Sequence, residues 1–155
     1  MSFKLARKGY KMEQYAYRIE SRLVSEPDFP YNEQVIKGAG NVIDFVKILQ
    51  NADIEKMIVL FLGTNHHLNC LQIIPGTLNS AIIYPREIIK CALLSGSYAV
   101  IIVHNHPFAG LQPSEDDIRL TNALKQACKL VEVNLLDHLI VNRDGYYSFQ
   151  EHGMI

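Results

Sequence analysis

The sequence predicts an α/β fold, a three-layer α/β/α domain built around a mixed β-sheet. Two observations carry that expectation. Apolar runs of strand length interleave with segments of helical period, the pattern of helices packed on a sheet. At two places strands are joined by hairpin turns, which makes the sheet mixed. With 155 residues, 48% apolar and 20% charged, the chain is expected to form one domain with a substantial core. Its net charge of −1 gives no long-range pull toward nucleic acid, so strong nucleic-acid binding is not expected.

Residues 1–30 read as an N-terminal extension. It opens with a basic cluster, Lys4, Arg7, Lys8 and Lys11, read either as a solvated end or as a phosphate-binding arm. Alternation over residues 15–24 predicts a strand that joins the sheet. The loop Glu26-Pro27-Asp28-Phe29-Pro30 follows. Asn41 is the expected cap of a helix carrying Val42, Ile43, Phe45, Val46, Ile48 and Leu49. Residues 56–62 form a strand with few polar breaks, as if covered on both faces. Gly63-Thr64-Asn65-His66 turns it back into a second strand over residues 68–75. Pro85 reads as the first residue of a helix running to residue 95 and ended by Gly96. The central strand spans residues 98–103. Pro113 and Ser114 open a helix whose apolar stripe is Ile118, Leu124, Ala127, Cys128 and Val131. Residues 134–141 form a strand, Asn142-Arg143-Asp144-Gly145 a hairpin turn, and residues 146–149 the last strand.

The chemistry follows the central strand. His104-Asn105-His106 stands at the end of the run Ala99-Val100-Ile101-Ile102-Val103. Residues two apart on a strand point the same way, so both imidazoles can face one metal ion. Asp117 lies eleven residues beyond His106, in the first turn of a helix. Two imidazoles and a carboxylate leave the fourth position of a tetrahedral zinc open, the pattern of catalytic rather than structural sites. Each part also has a plainer reading. A histidine pair at a strand end can hydrogen-bond to backbone. Ser114 and Asp117 fit the S-x-x-[DE] helix cap. The combined reading is favoured because ligands collect beyond the C-terminal ends of strands in α/β sheets. Asp117 also shares the inward helix face with Thr121, Leu124 and Cys128, and a helix N-terminus keeps a carboxylate ionised. A metal hydrolase needs a base as well. Glu55, before the strand at 56–62, is the candidate; its other reading is a solvated residue at the start of that strand.

Glu55, His104-x-His106 and Ser114-x-x-Asp117 together resemble the JAMM (JAB/MPN+) metalloprotease motif, with ten residues between His106 and Asp117. More narrowly, the chain resembles the RadC family over residues 31–155. The matching segments are His104-Asn105-His106-Pro107, Pro113-Ser114-x-x-Asp117-Ile118 and Leu135-Leu136-Asp137-His138, with Gly76-Thr77-Leu78 and Tyr84-Pro85-Arg86-Glu87. The combined motif is specific; His-Asn-His alone is not, and it does not mark an HNH nuclease. The resemblance implies a JAB domain of cytidine-deaminase-like architecture over residues 31–155. It implies one Zn2+ per chain on His104, His106 and Asp117, with Glu55 as general acid/base. Ser114 would stabilise the oxyanion of a tetrahedral intermediate. The implied activity is cleavage of peptide or isopeptide bonds in a peptide or protein substrate. Asp137 and His138 match the family too, and read either as groups orienting a metal ligand from behind or as a satisfied polar pair in the core. One departure concerns the loop after the histidines. RadC-like chains usually read His-Pro-Ser-Gly there; this one reads His106-Pro107-Phe108-Ala109-Gly110, with the glycine one place later.

The alternative function is a RadC-type accessory factor in DNA repair or recombination that uses the domain for binding. The near-neutral charge argues against it, as does the expected lack of the helix-hairpin-helix found in longer RadC proteins. A metal-free MPN-like scaffold is disfavoured because all five motif residues are present. A zinc nucleobase deaminase would need H-x-E with P-C-x-x-C, and neither occurs. No apolar stretch reaches the roughly 18 residues of a membrane helix. The N-terminus lacks the apolar centre of a signal peptide. Three cysteines without C-x-x-C spacing argue against a disulfide framework, and Cys91 and Cys128 read as small core residues. A cytoplasmic protein with reduced thiols is therefore expected. His66, His67 and His152 read as surface residues.

Overall fold

The computed structural model describes residues 35–76 and 83–155. The strand expected over residues 15–24, the basic cluster, Thr77 and Leu78 lie outside them. Among the described residues, α1 spans Ala39–Phe45 and a 3-10 turn follows at Lys47–Asn51. Strands β1 (Lys56–Leu62) and β2 (Leu68–Pro75) precede α2 (Pro85–Leu94). Then come β3 (Ala99–Asn105), α3 (Glu115–Leu130), β4 (Asn134–Asn142) and β5 (Gly145–Ser148). The strands form one five-stranded sheet in the order β2-β1-β3-β4-β5. Only β3 and β4 run parallel, and α3 connects them.

Two elements end where local chemistry demands. Gly96 has φ +60°, a conformation that costs glycine little. Its N–H bonds to the Leu93 carbonyl while the Ser97 N–H reaches the Ala92 carbonyl, the paired bonds of a Schellman stop. At the other end of the chain, Asn142 Oδ1 accepts from the N–H groups of Asp144 and Gly145 and closes the last hairpin. The start of α1 differs from expectation. Gly38 precedes the helix without a side-chain cap, and Asn41 lies inside the first turn. The Asn41 amide oxygen reaches back 3.2 Å to the Lys37 N–H. It meets a free donor from within the helix rather than from its edge.

After Lys56, strand β1 is apolar because helices cover the sheet on both faces. Val42 and Val46, with Leu49 of the 3-10 turn, pack on Ile58, Leu60, Leu62, Ile101, Val103 and Leu139. Ile88 and Ala92 of α2, with Leu124 and Cys128 of α3, pack on Met57, Val59, Phe61, Val100 and Ile102. The β3–β4 register slips between Val100 and Ile101, which pair with Leu135 and Asp137, so Leu136 is the extra residue. Such a bulge re-aims everything after it. Leu135 packs on the α2/α3 side and Leu136 on the α1 side. Beyond the bulge, His138 pairs with Ile102 and so faces α3. No helix among the described residues is long and apolar enough to cross a membrane.

Candidate metal centre

Strand β3 continues two residues past the expected end, through His104 and Asn105. His104 is therefore a strand residue, buried on the α3 side. His106 lies just beyond, and its N–H bonds to the Val141 carbonyl at 2.9 Å, continuing the pairing with β4. This backbone bond brings both rings to one point: His104 Nε2 and His106 Nε2 are 3.0 Å apart. Asp117 arrives from the first turn of α3, with Oδ1 3.1 Å from His104 Nε2 and Oδ2 3.6 Å from His106 Nε2.

Asp117 is also part of a capping box. Its Oδ2 accepts from the Ser114 N–H at 2.7 Å and from the Ser114 hydroxyl at 2.6 Å. Ser114 Oγ in turn accepts from the Asp117 N–H at 3.1 Å. The plain capping reading and the site reading thus describe the same bonds: the cap fixes the carboxylate that faces the histidines. Burial opposes ionisation of Asp117. Hydrogen bonds from His104, His106 and Ser114 outweigh it and hold the carboxyl well below the usual range. The Asp117 carboxylate in turn raises the pKa of His106 against the desolvation that opposes it; the Gly110 carbonyl and the charge of Glu55 act the same way.

The donor set suits a metal. His106 Nδ1 lies 2.8 Å from the Gly110 carbonyl, which can only accept, so this nitrogen carries the proton. In the neutral ring Nε2 is then a lone pair aimed inward, and in the charged ring the same nitrogen donates toward Asp117. That lone pair, His104 Nε2 and an ionised carboxylate crowd one point, an arrangement that a cation stabilises. The glycine displaced by one place in the loop supplies the carbonyl that orients His106. Asn142 Nδ2 steadies the same loop through the Ala109 carbonyl at 3.3 Å.

His104, Asp117 and His138 form an overlapping group, with one ligand atom from each within 4.8 Å of the others, and this group could hold a metal ion. His138 is less free than His106. Its Nε2 is 2.9 Å from His104 Nδ1 and its Nδ1 is 2.7 Å from Thr121 Oγ1. Both nitrogens are engaged away from the point where His104 Nε2 and His106 Nε2 meet. Burial, with His104 beside it, pushes the His138 pKa well below its ordinary value.

Asp137 goes elsewhere. Its Oδ1 accepts from the His138 N–H at 2.7 Å and the Gln150 N–H at 3.0 Å, and its Oδ2 accepts from the Ser148 hydroxyl at 2.6 Å. It ties the C-terminal turn to β4, and it touches none of His104, His106 and Asp117. Of the pair Asp137 and His138, only His138 stands behind a ligand.

Glu55 is exposed and shares a cavity of about 840 Å³ with His104, His106, Ser114 and Asp117. Met57, Ile74, Ile83 and Leu120 make an apolar wall of the same cavity. Two residues that the sequence reading gave no role hold the Glu55 backbone. Asn105, between the two histidines, points to the opposite side of the strand. Its Oδ1 accepts from the Lys56 N–H at 2.7 Å and its Nδ2 donates to the Ile54 carbonyl at 3.0 Å. Gly76 donates its N–H to the Glu55 carbonyl at 3.0 Å, and a Cβ at Gly76 would come within 2.1 Å of that oxygen. Only glycine allows that approach. Period-two alternation was the available signal for Asn105: a polar residue flanked by inward histidines must face the other way.

The sequence profile of a family described as the RadC-like JAB domain matches residues 36–154. A UPF0758 protein of Chlorobium phaeovibrioides is 38% identical over 122 residues, covering 77% of this chain and 55% of the relative. One from Pelodictyon phaeoclathratiforme is 40% identical over 118 residues, covering 76% and 50%. One from Histophilus somni is 44% identical over 108 residues, covering 69% and 49%. The chain spans about half the length of the curated relatives it matches.

Proposed function

The chain belongs to the family of RadC-like JAB domains, and on that premise we propose that it is a zinc-dependent hydrolase of the JAMM type. It cleaves peptide or isopeptide bonds in a peptide or protein substrate, and it works in the reducing cytoplasm. The observation that carries this reading is the convergence of His104 Nε2, His106 Nε2 and the Asp117 carboxylate within 3.0–3.6 Å at a cavity shared with Glu55. Helices on both faces of the mixed sheet support the three-layer, cytidine-deaminase-like description.

His104, His106 and Asp117 would hold the zinc. Bound there, it supplies a Lewis acid and lowers the proton affinity of water. Glu55 takes the proton released on attack and returns it to the leaving amine. Exposure to the cavity suits that task, because the carboxylate must exchange a proton with substrate. Ser114 serves twice. Its N–H alone can keep Asp117 Oδ2 in place, which frees the hydroxyl to turn toward the developing oxyanion. The apolar wall of Met57, Ile74, Ile83 and Leu120 excludes water from the side where a peptide would lie.

The test combines metal analysis with a cleavage assay. The purified chain should carry about one zinc. The zinc-loaded protein, incubated with a digest of cellular proteins, should create new peptide termini detectable by mass spectrometry. Glu55→Gln should keep zinc and lose at least ~10²-fold in turnover. No new termini from the loaded protein, or equal cleavage by the variant, overturns the proposal.

A further inference from the structure

Phe108 stands on the loop that follows the two histidines, and it is 91% exposed. A lone apolar residue in water needs no explanation. Phe108 differs in two ways. First, its loop is held from behind. The His106 N–H bonds to the Val141 carbonyl at 2.9 Å, the Gly110 carbonyl meets His106 Nδ1 at 2.8 Å, and the Ala109 carbonyl accepts from Asn142 Nδ2 at 3.3 Å. These bonds fix the backbone on either side of Phe108 while the residue itself packs on almost nothing. Second, Phe108 lines the cavity of the candidate metal centre, together with Met57, Ile74, Ile83 and Leu120. Beyond Glu55, Ser114 and the three candidate ligands, the polar residues of that lining are Lys56, Asp116 and Arg119. Asp116 and Arg119 pair with each other at 2.6 Å. Every other described residue of the lining is apolar. A cavity of this make-up takes an apolar group and orients it by the few polar ones.

We propose that Phe108 is a specificity-determining residue: with Met57, Ile74, Ile83 and Leu120 it takes a large apolar side chain of the polypeptide substrate, beside the bond presented to the metal centre. Leucine, isoleucine, methionine and phenylalanine are the side chains meant. This rests on the peptidase reading above. The occupant is substrate because the apolar lining is continuous with Glu55 and the candidate ligands, where the reacting bond must lie. Phe108 gives up few contacts of its own when a ligand covers it, so the area removed from water is not offset by packing lost. A loop already fixed also lowers the cost of ordering it on binding.

The probes are two blocked hexapeptides of alanine, one with leucine and one with aspartate at the third position. They are titrated into the full chain, treated with a chelator and carrying 13C-labelled phenylalanine. The leucine peptide should shift the Phe108 ring signals to saturation, and the aspartate peptide should bind at least ~10-fold more weakly. Phe108→Ala should weaken the leucine peptide at least ~10-fold, and Phe108→Leu should recover most of that affinity. An exposed residue can be replaced without disturbing the fold, which circular dichroism checks. The zinc-loaded chain, given a digest of cellular proteins, should cleave beside the four apolar residues named, and Phe108→Ala should raise KM with kcat little changed. An unmoved Phe108 ring, or equal affinity in Phe108→Ala, overturns the proposal. So does a wild-type dimer, seen by sedimentation, that Phe108→Ala dissolves while peptide affinity holds, since the ring would then face a second copy. Cleavage without apolar preference overturns the proposal and leaves the peptidase reading standing. Selective binding of the leucine peptide that depends on Phe108, with no cleavage by the zinc-loaded chain, would uphold the apolar site and sink the peptidase reading alone.

Discussion

Asp137 and His138 are neighbours on β4, and they enter two buried polar networks of opposite kind. Asp137 meets the Ser148 hydroxyl and the N–H groups of Gln150 and His138, and Ser148 Oγ meets the Glu151 N–H at 3.0 Å. Every donor in that network is used inside the protein. His138 leads through His104 to a cavity, where His104 Nε2, His106 Nε2 and the Asp117 carboxylate converge. A closed network stabilises a fold, because breaking it strands buried donors. An open one ending in converging imidazole nitrogens and a carboxylate is a place for a cation. Residue type does not separate the two cases, since each contains a titratable side chain buried on the same strand. The separation lies in where the last hydrogen bond ends.

The largest expected effect breaks the open network at its end. His104→Ala with His106→Ala should abolish tight zinc binding, measured by metal analysis, while far-ultraviolet circular dichroism stays that of the wild type. The sheet is held by backbone pairing that neither side chain supports. Near-stoichiometric zinc in the double variant would remove the metal centre from these residues. Next comes the base. Asn105→Ala should keep zinc yet reduce turnover by up to ~10²-fold, because the segment holding Glu55 loses its clamp and small misplacements of reacting groups are costly. Turnover like that of wild type would show that Gly76 holds Glu55 unaided.

Breaking the closed network should have the reverse signature. Asp137→Ala should cost about 2–4 kcal/mol in chemical denaturation, as the N–H groups of His138 and Gln150 lose their acceptor. Zinc affinity should not change. A fall in affinity with intact stability would move Asp137 into the open network. The smallest effect is at the junction of cap and site. Ser114→Ala should lower stability by roughly 0.5–2 kcal/mol, the scale of a lost helix cap. It should leave zinc bound, because the Ser114 N–H still holds Asp117. Denaturation and metal analysis of one sample settle both points.

Among the described residues, the sequence alone was enough for the order of strands and helices and for placing His104, His106 and Asp117 close to one another. Local rules govern those features: apolar period, Pro85 and Gly96 as helix punctuation, and the alternation that aligns residues two apart on a strand. Ser114-x-x-Asp117 was legible for the same reason, because a capping box is written within four residues. Three things were decided only by tertiary structure. The extra residue at Leu136 turns His138 toward α3 and leaves Asp137 with the C-terminal turn, a choice set by pairing with β3 rather than by any neighbour in sequence. Asn105 grips the Glu55 segment across some 50 positions of chain, at Ile54 and Lys56. Thr121 meets His138 Nδ1 because α3 lays it against β4, 17 residues away. Each depends on how separate elements meet, and contacts between elements leave no period in the sequence to read.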